Sequence, residues 1–139
     1  VVDDVMSNRK MLKLLLRKKG VTVEMAEDGR EALSIVQSKP GYYSMIFMDN
    51  MMPYMNGMEV TSVLRSEGFD RMIIGLTGCA MDDDIKKYVD AGADLVLTKP
   101  MNITALDSVL RLIHQQGTKS YPHKQLKFYG EILQWTERE

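Results

Sequence analysis

Met45-Ile46-Phe47-Met48-Asp49-Asn50-Met51-Met52-Pro53-Tyr54-Met55-Asn56-Gly57 is the stretch whose reading decides the fold. Its first residues make a short apolar run of the kind that fills a buried strand. The run ends on a carboxylate, Asp49, and turn chemistry follows at once in Asn50, Pro53 and the Asn56-Gly57 pair. In open α/β sheets, ligands bind in the crevice beyond the carboxyl ends of the strands. Asp49 is therefore a candidate functional acid, and the neighbouring strand ends should show what accompanies it.

Moving forward from Gly57, a helix is expected from about Met58 to Ser66, burying Val60, Val63 and Leu64 and stopping at Gly68. Met72 to Leu76 reads as a strand that ends on Thr77. The next helix starts near Asp82, where three successive acids suit the positive end of a helix dipole. Ile85, Tyr88 and Val89 face inward, and Ala91-Gly92 ends it. Asp94 to Leu97 is a strand ending at Thr98-Lys99-Pro100. Asn102 caps a last helix with Ile103, Leu106, Val109, Leu110 and Ile113 on one apolar face.

Moving back from Met45, Val21 to Ala26 alternates and is rich in β-branched residues, so it reads as a strand. A helix from about Arg30 to Ser38 buries Ala32, Leu33 and Val36. An earlier helix, from about Met6 to Lys19, carries Met11, Leu12, Leu15 and Leu16 on one face. Arg9, Lys10, Lys13, Arg17 and Lys18 take the other, and Ser7 or Asn8 is its expected cap. That basic face is a solvated surface or a dock for an acidic partner. Val1-Val2 reads as the end of a strand running into Asp3-Asp4, which implies a piece of a longer polypeptide. Five strands alternating with five helices imply a parallel sheet with helices on both faces, joined by right-handed crossovers.

Residues 117–139 fall outside that alternation. Gly117 to Pro122 reads as a linker, and Leu126, Tyr129, Ile132, Leu133 and Trp135 suggest one more amphipathic helix. The expected division is therefore a domain over residues 1–116 and a linker with an extra C-terminal helix over residues 117–139.

The 139 residues fit one domain with room for a core. A net charge of −1, from 18 basic and 19 acidic residues, offers no basic footprint for nucleic acid. The single cysteine, Cys79, cannot form an internal disulfide, which fits a reducing, cytoplasmic setting. No apolar run approaches the length of a membrane span, although a parent protein with a membrane anchor is compatible with this chain.

Asp3-Asp4, Asp49, Thr77 and Lys99 all fall at strand ends, and in a parallel sheet all strand ends share one edge. Three clustered carboxylates repel and call for a cation. Oxygen donors without a His or Cys cluster point to magnesium rather than zinc. Magnesium invites phosphoryl chemistry. Asp49 is then the nucleophile of an acyl phosphate, Lys99 neutralises the transferring group, and the Thr77 hydroxyl can bond a phosphoryl oxygen. Taken singly, each of these residues is as easily a helix cap or a surface group. Their arrival on one edge is what makes them a site.

The ordered set resembles the receiver domain of two-component response regulators and hybrid histidine kinases, over roughly Val1 to Gln116. The family's acidic pair matches Asp3 and Asp4. Its phosphorylated aspartate matches Asp49 in Met48-Asp49-Asn50-Met51-Met52-Pro53, with Pro53 four residues on and Gly57 beyond. Its switch hydroxyl matches Thr77, and its lysine before a proline matches Lys99-Pro100. The flanks of Asp49 look most like receivers of hybrid kinases. The resemblance implies a five-stranded, doubly wound, flavodoxin-like sheet and a bound Mg2+ held by Asp3, Asp4, Asp49 and the main-chain carbonyl of Met51.

It also implies a phosphohistidine donor, either a histidine phosphotransfer protein or a histidine kinase domain, docking near Asp49. The receiver would catalyse its own phosphorylation and slow dephosphorylation. The surface that responds would be the fourth helix, fifth strand and fifth helix, which also offers a homodimer face. No contact with nucleic acid or membrane is implied for these residues.

Three departures from the family pattern matter. Val96 stands where the family often has an aromatic switch residue. Met51 and Cys79 stand two residues past the acceptor and past the threonine, where family side chains influence hydrolysis. Neither orients water well, so a long-lived phospho-Asp49 is expected. The first strand is short. His114 and His123 have no kinase motif around them and read as surface residues, and Cys79 reads as a buried or half-buried structural thiol. Two rivals stand beside the receiver reading. A magnesium-dependent aspartyl-phosphate phosphatase, by resemblance, wants an acid where Met51 stands. A degenerate receiver would act as a phosphorylation-independent binding module, yet every key residue is present.

Overall fold

The computed structural model describes residues 1–79 and 81–138. Among these, five helices form: α1 (Met6–Lys18), α2 (Gly29–Ser38), α3 (Gly57–Ser66), α4 (Asp82–Asp90) and α5 (Ile103–Gln116). Three strands, β1 (Met45–Asp49), β2 (Met72–Thr77) and β3 (Leu95–Thr98), make a parallel sheet in the order β1-β2-β3. Two more, β4 (Lys124–Tyr129) and β5 (Ile132–Glu137), pair antiparallel with each other.

The expected five-stranded parallel sheet is thus only partly formed as strands. The first two expected strands are reduced to bridges: Val2 pairs in parallel with Met48 on one side and with Ala26 on the other. The order across the molecule is Ala26, Val2, β1, β2, β3. Residues 21–25 form no ladder, although the Val1 ammonium donates to the Glu24 carbonyl (2.9 Å) and Ala26 N–H donates to the Val1 carbonyl (2.9 Å). Main-chain bonds still tie the short segment in, from Val2 N–H to the Phe47 carbonyl (2.8 Å) and from Asp49 N–H to the Val2 carbonyl (2.9 Å).

Strand residues alternate between the two faces. Phe47, Ile74, Leu76, Leu95 and Leu97 pack with Leu12 and Leu16 of α1 and with Leu106, Val109 and Leu112 of α5. Ile46, Met48 and Ile73 pack on the other side with Ala32, Val60, Leu64 and Tyr88 from α2, α3 and α4. Burial on both faces is why these strands read as continuous apolar runs. Tyr88 is the largest of the fully buried side chains. A Cβ at Gly75, in the middle of β2, would lie 2.8 Å from its ring.

Helix starts follow local chemistry where a cap exists. Asn56 accepts from Glu59 N–H and the Glu59 side chain returns to Asn56 N–H, a complete capping box opening α3. Asp28 caps α2 and Asn102 caps α5. The expected caps of α1, Ser7 and Asn8, lie inside the helix instead, which starts after Val5 without a side-chain cap. Arg9 also departs from expectation: it is only 6% exposed, while Met11, expected inside, is exposed.

The C-terminal segment is a hairpin, not a helix. Gly130, at φ +64°, and Glu131 form a two-residue turn between the paired Tyr129 and Ile132. Leu126 and Leu133 join the α1/α5 core, and the Trp135 ring meets Tyr121 edge-on. The segment docks at the start of β2 and β3, the edge opposite Asp49. Met72 N–H donates to the Thr118 carbonyl (2.8 Å) and Leu126 N–H to the Asp94 carbonyl (2.7 Å).

Asp94 is fully buried beneath this segment. It accepts from the Arg65 guanidinium at 2.9 Å, from Ile73 N–H at 2.8 Å and from the Ser120 hydroxyl. Arg138 donates to the Val89 carbonyl (2.7 Å) and lies 3.9 Å from Asp94. Burial pushes the Asp94 carboxyl up, and Arg65 leads the groups that pull it back. No helix among the described residues is long and apolar enough to cross a membrane.

Candidate functional site

Asp49 is the last residue of β1, in register with Leu76 of β2, and is almost fully buried. The chain leaves the strand through Asn50, whose N–H donates to the Leu76 carbonyl (3.0 Å). It returns at Gly57, whose N–H donates to the Asn50 carbonyl (2.9 Å), and the Asn50 side chain accepts from Met58 N–H (3.2 Å). The turn after the acid is therefore closed by its own hydrogen bonds. A Cβ at Gly57 would collide with the Asp49 carbonyl and with the Tyr88 hydroxyl, so only glycine fits there.

Four of the expected residues converge. Asp3, Asp4 and Asp49 each offer a carboxylate oxygen, and these oxygens lie within 4.8 Å of one another. The Lys99 ammonium stands 2.9 Å from Asp3 Oδ2 and 3.1 Å from Asp49 Oδ1. Asp3 is fixed further, because its Oδ1 accepts from Val5 N–H (2.9 Å). Asp4 is exposed.

The electrostatics follow from this packing. Burial raises the Asp49 carboxyl above its usual range, and the Lys99 ammonium only partly offsets this. Burial works against the charge on Lys99 too, but the carboxylates of Asp3 and Asp49 outweigh it and hold Lys99 above its usual range. Three carboxylates against one ammonium leave a local excess of negative charge. These are hard oxygen donors with no histidine or thiolate in the group, so the residues fit a small divalent cation such as Mg2+.

Thr77 ends β2, buried, one strand over. Its hydroxyl oxygen accepts from Cys79 N–H (3.1 Å) and its carbonyl from Lys99 N–H (2.7 Å). Thr77 thus sits on the same edge, with its side chain engaged in its own turn. Met51 lies in the turn after Asp49 with its side chain 75% exposed. The Cys79 thiol is exposed, not interior as expected, and donates to Asp84 Oδ2 (3.0 Å). Val96 packs against the α2–α4 side of the core, and His114 and His123 are exposed.

Two residues near the site were not singled out from the sequence as part of it. Arg9 donates from Nη1 to the Asp3 carbonyl at 2.7 Å, beneath the acidic pair. Its spacing with Leu12 and Leu16 places it on the buried face of α1, a signal hidden by its charge. Tyr88 donates to the Met48 carbonyl at 2.7 Å. Nothing local to α4 marks that role, since it depends on Gly75 and Gly57 lying opposite.

Comparison with known proteins agrees with this geometry. The family described as "Response regulator receiver domain" matches residues 1–111. "Hybrid signal transduction histidine kinase I" of Dictyostelium discoideum is 36% identical over 117 residues, covering 79% of this chain and 7% of that protein. "Two-component response regulator 24" of Arabidopsis thaliana is 34% identical over 114 residues, covering 82% of this chain and 81% of that one. Among solved structures, the receiver domain of Ssk1 from Saccharomyces cerevisiae, crystallised with the histidine phosphotransfer protein Ypd1, superimposes with a TM-score of 0.69. It is 30% identical, over 78% of this chain and 81% of that chain.

Proposed function

The chain belongs to the response regulator receiver family, and on that premise we propose that it is a phosphorelay switch whose acceptor is Asp49. The observation that carries this reading is the Lys99 ammonium, held between Asp3 and Asp49 beside a third carboxylate. A buried nucleophile next to a fixed cation and a divalent-metal cradle is what phosphoryl transfer to a carboxylate requires.

Asp3, Asp4, Asp49 and the Met51 carbonyl would hold Mg2+, which when bound supplies positive charge to the phosphoryl oxygens. A carboxylate oxygen of Asp49 bonds to phosphorus as the P–N bond of a donor phosphohistidine breaks, and the departing imidazole nitrogen takes up a proton. Lys99 leaves its Asp49 contact for a phosphoryl oxygen. Thr77 gives up its bond to Cys79 N–H and turns its hydroxyl to another. Phosphorylation adds up to about two negative charges, and the preference of Thr77 and Lys99 for those oxygens shifts a pre-existing equilibrium.

The donor is a histidine phosphotransfer protein or a histidine kinase domain. The similarity to a receiver crystallised with such a phosphotransfer protein supports this. It docks over the Asp49 opening and along α1, where Met6, Met11 and Leu14 are exposed among basic residues. The responding surface, and the face for any homodimer, is α4-β3-α5. The receiver unit is residues 1–116, with the hairpin added to it.

Incubation with Mg2+ and acetyl phosphate should add one phosphoryl group, detected by mass, and Asp49→Asn should abolish it. No mass gain and no fluoroberyllate-induced change in the wild-type chain would leave the phosphorylation-independent module as the better reading.

A further inference from the structure

We propose that Tyr88 is a positioning residue for the acceptor turn: its side chain crosses β2 at Gly75, and its hydroxyl fixes the main chain on either side of Asp49. This rests on the phosphoacceptor reading of Asp49. Tyr88 belongs to α4 and is only 1% exposed. To reach β1 it must pass over the strand between, and the missing side chain of Gly75 is what lets it through. A Cβ there would stand 2.8 Å from two ring carbons.

At the far end, the hydroxyl donates to the carbonyl of Met48, the residue before the acceptor. The same oxygen occupies the space a Gly57 side chain would need, against the returning end of the turn. One oxygen therefore touches the chain as it enters the Asp49 loop and as it leaves. Burial holds the phenol far above its usual ionisation range, with the neighbouring Thr61 side chain pulling it back and the Asp49 charge adding to the rise. The hydroxyl is accordingly a standing donor.

Two consequences follow from this geometry. The position of the Asp49 carboxylate relative to Lys99 depends on a side chain from α4. In return, a shift of the acceptor loop on phosphorylation is transmitted to α4 through a rigid ring. Val96 cannot supply an aromatic link of its own. Tyr88 supplies one from a different element, and it needs no change of rotamer.

The test compares the wild-type chain with Tyr88→Phe and with Gly75→Ala. Phenylalanine keeps the ring and deletes the hydroxyl bond. Alanine at 75 keeps the hydroxyl and displaces the ring. Three quantities are measured: Mg2+ affinity by titration calorimetry, the rate of phosphorylation by acetyl phosphate, and the thermal midpoint. In both variants the rate and the Mg2+ affinity should fall about 2- to 10-fold, the worth of one hydrogen bond.

A purely structural tyrosine predicts a lower thermal midpoint with wild-type affinity and rate, and that outcome overturns the proposal. If Tyr88→Phe does not fold, Gly75→Ala alone makes the same comparison. A wild-type chain that neither binds Mg2+ nor takes a phosphoryl group defeats the receiver reading and this inference together. A competent wild type with indistinguishable variants defeats this inference alone.

Discussion

The Lys99 ammonium lies 3.1 Å from Oδ1 of Asp49, although 50 positions separate them in sequence. Parallel strand ends bring them together, and the same ammonium holds Asp3. Replacing it by a neutral side chain of similar length tests what that contact does. Lys99→Met should slow phosphorylation by acetyl phosphate roughly 100-fold, the scale set by losing one fixed charge-stabilising donor. A rate within a few-fold of wild type would remove Lys99 from the chemistry.

Burial raises the Asp49 carboxyl, so the folded chain keeps a proton at pH values where the unfolded chain has released it. Between those two values the unfolded state binds fewer protons, so stability falls as pH rises through the window, and the deficit persists at neutral pH. Asp49→Asn should therefore raise the thermal midpoint by a few degrees at pH 7. The gain should close as pH drops below the ordinary aspartate value of about 3.9. Phosphorylation should decline as pH falls through the raised value, because the nucleophile must be ionised.

The carboxylate cluster predicts stabilisation by metal. At ten times its Kd, Mg2+ should add about 1.4 kcal/mol to the unfolding free energy, and EDTA should remove it. Asp3→Asn and Asp4→Asn should each abolish the response, as read by thermal melts with and without metal.

Met51 stands two residues past Asp49, the proposed acceptor, and Cys79 two past Thr77; both side chains are exposed and poor at orienting water. The phosphorylated chain should decay slowly, and Met51→Asn should shorten its half-life several-fold, followed by mass or radiolabel. Unchanged decay would show that these positions do not govern hydrolysis here.

Asp94 is buried at the opposite edge, and its closest cation is the Arg65 guanidinium. Arg65→Ala should cost about 3 kcal/mol in chemical denaturation, because it strands a buried carboxylate. A chain ending at Gln116 loses Leu126, Leu133, Ser120 and Arg138 from the same region. It should melt lower while keeping the Mg2+ affinity of the full chain, since the hairpin lies away from Asp49.

The helices and the acid-rich edge were legible in the sequence because both rest on periodic or local signals. Asn56, Asp28 and Asn102 announce helix starts, and each central strand ends on a polar residue. The hairpin was misread. Leu126, Tyr129, Ile132 and Leu133 satisfy helical spacing, but Gly130 interrupts them with a positive φ and turns the chain back. Leu126 and Leu133 then face one core from two strands. Arg9 was misplaced because charge outweighed spacing, whereas its guanidinium finds a buried carbonyl. The Asp94 cluster joins residues from α3, the start of β3 and the C-terminal segment, so no local window contains it.

Gly75 and Tyr88 occupy a single volume that one of them vacates and the other fills. A descendant chain cannot change either freely. Alanine at 75 is admissible only beside something slimmer than tyrosine at 88, and a smaller residue at 88 leaves a void that a larger residue at 75 can close. The two positions should therefore be inherited as a pair, and relatives should divide into those with glycine opposite a bulky ring and those with a larger strand residue opposite a small one. Where a lineage crosses between the two arrangements, the connection between the loop after Asp49 and α4 has to be rebuilt from other side chains.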